Sequence, residues 1–130
     1  MTPVERVIVE AERTLRSILR ASPDGTPDPR WQAVIRVGEL LPSHPDEVWA
    51  FASRWGCSPD PDLRSAIATC LIEHLLEHHF QLIFPRVKEL ASTDVHFADT
   101  AKKSWSFAET WHPEELRQWR AFQERLNHAG

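Results

Sequence analysis

Apolar side chains recur at spacings of three and four along almost the whole chain, the period of an α-helix. Val4, Val7, Ile8, Ala11, Leu15, Ile18 and Leu19 share one face of a first predicted helix. It opens at Thr2-Pro3-Val4-Glu5, with a hydroxyl at the N-cap, Pro in the first turn and Glu three positions on. A second helix, from about Arg30 to Leu41, carries Trp31, Val34, Ile35, Gly38 and Leu41 as its stripe. Gly38 weakens that helix by roughly 1 kcal/mol against Ala, and its use would be the close approach of a neighbour. A third helix starts at His44-Pro45-Asp46-Glu47, buries Val48, Phe51, Ala52 and Trp55, and ends at Gly56. A fourth spans about 63–79, a fifth 80–90 with Pro85 inside it, and a sixth 96–109. The seventh begins at His112-Pro113-Glu114-Glu115 and is lined by Leu116, Trp119, Phe122 and Leu126. No stretch shows the period-two alternation between turn residues that a half-buried strand requires. The pattern predicts an all-α chain.

The fourth helix stands apart. Leu63, Ile67, Leu71, His74, Leu75 and His78 occupy one arc at 100° per residue, and Ile72 and Leu76 lie opposite. A helix apolar around most of its circumference belongs at the centre of a domain. On this wheel His74 and His78 prolong the apolar stripe, so they are expected to be packed with one hydrogen bond each or to form the wetter end of the buried face.

The turns repeat as well. Ala21-Ser22-Pro23-Asp24, Cys57-Ser58-Pro59-Asp60 and Ala91-Ser92-Thr93-Asp94 share a small-Ser-x-Asp pattern and recur at 36 and 34 residues. Each separates two predicted helices and is followed by an early Ala, at Ala33, Ala66 and Ala101. A period of this length with two helices per unit is the signature of stacked helical hairpins. The middle unit, from Ser58-Pro59-Asp60-Pro61-Asp62-Leu63-Arg64 through Ser65-Ala66-Ile67-Ala68-Thr69-Cys70-Leu71, resembles the start of the second helix of a HEAT repeat. Pro85 likewise looks like the proline found in the first helix of such repeats. The resemblance is best over 45–79. It implies a short solenoid of about three antiparallel hairpins (2–41, 43–79 and 80–110) closed by a capping helix over 112–127, within a single domain over 1–130. It also implies a binding scaffold. At an offset of about 35, Ile72 matches Phe107 and Leu76 matches Trp111, which would set Glu73, Leu76, Lys103, Phe107 and Trp111 along one concave, protein-binding face.

Charge sharpens this reading. Nineteen acidic and 15 basic side chains leave −4 over 130 residues, and segment 42–79 holds six acids against two bases. The whole imbalance therefore sits in the middle hairpin, with four of the seven His. An acidic face suits a basic protein partner, as in an immunity or inhibitor protein. It disfavours nucleic acid, the third function class after protein and metal binding. No apolar run is long enough to span a membrane, the N-terminus lacks a signal-peptide core, and Cys57 and Cys70 make neither a disulfide framework nor a zinc set. The expectation is a cytoplasmic, non-enzymatic protein that needs no cofactor. One motif points elsewhere: His74-Leu75-Leu76-Glu77-His78 has the H-x-x-E-H form of inverted zinc proteases. Two His at i and i+4 can reach one metal, so a metal site or a hydrolase centred on His74 and His78 is the competing expectation.

Overall fold

Helix starts are set by side chains that satisfy orphan backbone N–H groups. The protein, described here from a computed structural model over residues 1–17, 28–104 and 112–128, is all-helical across those residues. Helix α1 (Pro3–Ser17) is capped by Thr2 Oγ1, which accepts from Glu5 N–H at 3.1 Å. Asp28 caps α2 (Pro29–Gly38), and α3 (Pro45–Trp55) follows with Asp46 and Glu47 in its first turn. Asp60 caps α4 (Pro61–Ile67), accepting from Asp62 N–H at 3.0 Å. After α5 (Glu73–Thr93), Asp94 caps α6 (Val95–Lys102), accepting from Phe97 N–H at 2.9 Å. Helix α7 (Pro113–His128) completes the described chain. In two of the three recurring turns the final Asp is thus a helix cap. The first of those turns, and the predicted positions Ile18, Leu19, Phe107 and Trp111, lie outside the described residues.

Between α4 and α5 the chain does not stop being helical. Residues Ala68–Ile72 form a π-helical turn, which joins the two into one rod. The rod ends at His79, where the backbone (φ −139°, ψ 44°) leaves the helix and redirects the second half of α5. The predicted boundary between 79 and 80 therefore holds. Pro85 sits exposed within the second half without breaking it.

The rod is the centre of the molecule, packed by α2, α3 and α6. Leu63, Ala66, Ile67, Ala68, Leu71, Ile72, Leu75 and Leu76 are all buried. Helix α2 presents Val34 and Val37, with Leu41 buried in the turn after it, while Ile35 turns outward at 44% exposure and Trp31 is half-buried. The expected stripe is corrected there: Val37 replaces Ile35. Gly38 does serve close approach, since a Cβ on it would meet the Cys70 carbonyl oxygen of the rod at 3.3 Å. Gly56 has a similar use, as a Cβ there would lie 3.0 Å from the Phe97 ring and 2.7 Å from the Ala52 carbonyl oxygen. The Gly56 carbonyl accepts from buried Thr100 Oγ1 at 2.6 Å, which pins α6 to the end of α3.

Two ion-pair sets tie neighbouring elements together. Arg30, 3% exposed, donates through Nη1 to Asp60 Oδ2 at 2.5 Å and through Nη2 to Asp62 Oδ2 at 3.0 Å and Asp28 Oδ2 at 3.2 Å. Further along, Arg64 Nε donates to Asp99 Oδ2 at 2.9 Å, and Arg64 Nη1 to the Ser58 carbonyl at 2.8 Å. Lys103 Nζ lies 3.1 Å from the same Asp99 oxygen. Burial alone would raise the carboxyls of Asp60 and Asp99. Hydrogen bonds and charge from Arg30 at Asp60, and from Lys103 and Arg64 at Asp99, outweigh it and hold both below the usual carboxylate range.

Candidate functional site

Insertion of one residue into a helix shifts every later side chain by one position around the axis. A π turn does this, and it decides which residues of the rod reach solvent. Before the turn, Leu63 and Ile67 lie on the buried side as the wheel predicts. Beyond it, Leu75 and His79 take the places expected for His74 and His78. Leu75 is fully buried, and His79 Nε2 is buried with no hydrogen bond among the described residues. His74 and Glu77 are half-buried and His78 is exposed. Full packing of His78 is corrected by this shift, while half-buried His74 lies at the wetter edge of the buried face.

The same shift buries Glu73. Its exposure is 0%, as is that of Leu76. Neither can belong to an accessible concave face with Lys103, which is half-buried against Asp99 and donates to the Pro61 carbonyl at 3.3 Å. The remaining members of that predicted face, Phe107 and Trp111, lie outside the described residues.

Nor is the local charge excess a bare acidic surface. Asp60 and Asp62 are paired with Arg30, and Asp46 accepts from Arg86 Nη1 at 2.8 Å. Glu73 is internal, Glu47 lies 3.9 Å from His44, and Glu77 lies 3.6 Å from His74. Sequence arithmetic could place these charges but not pair them. Arg30, the buried hub of the largest set, shows in the sequence only as a lone Arg at a helix start.

What the shift brings together is different. His74, Glu77 and His78 each offer a ligand atom, and these atoms lie within 4.8 Å of one another. The two His border a groove of about 390 Å³ between α2 and the rod, lined by Ile35, Gly38, Leu41, Pro42, Thr69 and Cys70, with Glu39 beside them. Its walls are mostly apolar with a few polar side chains among them, the usual make-up of a ligand site. Burial, then the charge of Glu73, push the Cys70 thiol up, so it stays protonated near neutral pH. Burial and the Asp94 carboxylate push Cys57 up to about 11. Neither Cys is an activated nucleophile. Among the described residues no helix is long and apolar enough to cross a membrane. Comparison of the chain with family models, with curated proteins and with solved structures finds no match.

Proposed function

We propose that the chain is a non-enzymatic binding protein, built as a short stack of helical hairpins, whose protein-binding site is the groove between α2 and the rod. The hairpin reading is supported by Asp60 and Asp94, equivalent caps 34 residues apart in sequence. It is supported also by the two ion-pair sets, in which an Arg of one unit reaches an Asp of the next, Arg30 to Asp62 and Arg64 to Asp99. Stacked hairpins present continuous grooves at their seams, and such grooves serve binding.

The observation that carries the site is Ile35. It is a large side chain of α2 left 44% exposed at the wall of an apolar groove, with the carboxylate of exposed Glu39 one turn away. That pairing suits a peptide segment with an apolar anchor followed or preceded by Lys or Arg. The anchor fills the groove, and the base pairs with Glu39. A random peptide library selected on the immobilised protein should enrich that pattern. Selected peptides should bind Ile35→Asp at least about tenfold more weakly, since an apolar contact is replaced by a desolvated charge. Glu39→Lys should slow association and flatten its salt dependence. Selection without an apolar-basic pattern, or peptides indifferent to both variants, would overturn the reading.

A further inference from the structure

We propose that His74, Glu77 and His78 together bind one divalent transition-metal ion of the zinc class, independently of what occupies the groove. The geometry is that of a chelate on a single helical face. Positions 74, 77 and 78 are i, i+3 and i+4, so their side chains rise from the same side of α5. Bond lengths of about 2.0–2.2 Å from zinc to imidazole nitrogen and carboxylate oxygen set tetrahedral ligand atoms roughly 3.4 Å apart. His74 Nδ1 and Glu77 Oε2 are 3.6 Å apart, and all three ligand atoms lie within 4.8 Å of one another. Closing that span from 4.8 Å takes up to about 1.4 Å of side-chain adjustment, which the exposed imidazole of His78 is free to make.

Donor chemistry selects the metal. Two neutral imidazoles and one carboxylate suit zinc, cobalt or nickel, whereas magnesium and calcium prefer sites made of oxygen alone. The charge is also matched, because the carboxylate offsets part of the ion's charge at the protein surface. Three protein ligands leave a fourth tetrahedral position, and both His border the groove, so that position opens toward it.

The π turn is a second, separate observation. In a regular α-helix the wheel would place His74 and His78 in the core and Glu73 nearer the surface. The extra residue in Ala68–Ile72 instead buries Glu73 and carries both His out to one accessible face with Glu77. Such turns inside α-helices occur frequently at functional sites.

The test uses the whole protein, stripped of metal by a chelator and dialysed, with the ions alone as probes. Titration with Co(II) should give one equivalent of binding and the visible bands of a low-coordinate site, and Zn(II) should displace it. Mg(II) should leave the spectrum unchanged. His78→Ala, at an exposed position that the fold does not need, should weaken Zn(II) binding by at least about 100-fold, more than the loss usual for a residue that only supports a ligand. Glu77→Gln should weaken it less than His78→Ala does, since an amide oxygen still coordinates but carries no charge. His44→Ala and His112→Ala should bind as the unmodified protein does. Absence of stoichiometric binding overturns the proposal. So does binding that survives His78→Ala, or octahedral Co(II) spectra with Mg(II) competition.

Discussion

Replacing Arg30 with Met should lower the unfolding free energy by about 3 kcal/mol and the melting temperature by roughly 10 °C. Met keeps the volume and the apolar stem but removes the guanidinium, which is 3% exposed and faces Asp28, Asp60 and Asp62. Exchange of a whole buried ion set for apolar groups can be neutral. Removal of one partner is costly, because the opposite charges stay behind. Here three carboxylates would remain within a few ångströms of each other, with only Asp62 well exposed. The cost also has a pH signature. Asp60 titrates below its unfolded value because Arg30 favours its charged form. It therefore adds stability that is complete above the unfolded carboxylate value, near pH 4, and is lost as pH falls through the lower folded value. With Met at 30 the part of that depression owed to Arg30 is lost, while the backbone N–H groups of Asp62 and Leu63 still favour the carboxylate, so the gap between variant and parent should narrow from pH 5 downward. Chemical denaturation of both proteins between pH 3 and 7 measures this. A gap of under about 1 kcal/mol at neutral pH, or one that widens in acid, would sink the account. Asp60→Asn combined with Arg30→Met should recover part of the loss.

Trp119→Ala should cost about 4 kcal/mol, within the range for truncating a buried Trp. Trp119 is 1% exposed and is the anchor of α7. Its ring lies 5.9 Å from Phe84, edge to face, and 5.4 Å from Phe122. Phe84 in turn stacks on Phe80 at 4.6 Å. The indole Nε1 donates to the Ser104 carbonyl at 2.9 Å, inside the core. Truncation removes the aromatic contacts, opens a cavity and takes one donor from that carbonyl, though Gln123 Nε2 still donates to it at 3.1 Å. Trp119→Phe keeps much of the area and loses the hydrogen bond, so about half the penalty should remain. Helix α7 packs on α6 and, through Trp119 and Phe122, on Phe84 of α5. In Trp119→Ala it should therefore be the first element to open, seen as faster amide exchange over 113–128 than over the rod. Uniform acceleration across both segments would mean that α7 is not a separable unit.

Much of the architecture is legible in the sequence because it depends on local rules. Period 3.6 placed the helices, Thr2 marked the start of the first, the recurring turns ending in Asp60 and Asp94 lay just before α4 and α6, and the break between His79 and Phe80 fell where the pattern changed. The central place of the fourth predicted helix followed from its apolar circumference. What failed depends on non-local or cumulative geometry. A constant 100° per residue carries no sign of a π turn, so one extra residue in Ala68–Ile72 misplaced Glu73, His74, Leu76 and His78 together. The exchange of Ile35 for Val37 on α2 has a similar origin, since both lie near the edge of the apolar arc and packing against the rod decides between them. The ion pairs that offset part of the charge of the middle segment join residues some 30 to 40 positions apart. No periodicity reports such partners.

The π turn gives the rod one residue more than its packing uses. Elsewhere in a central helix, a single-residue deletion would rotate everything downstream and turn Leu75 and Leu76 out of the core. Removal of exposed Thr69, within the turn, would instead let the helix close to ordinary α geometry while the later residues keep their places. This buried helix therefore has one position where length, rather than identity, is free to vary. The chain could shorten there by one codon without remaking its interior.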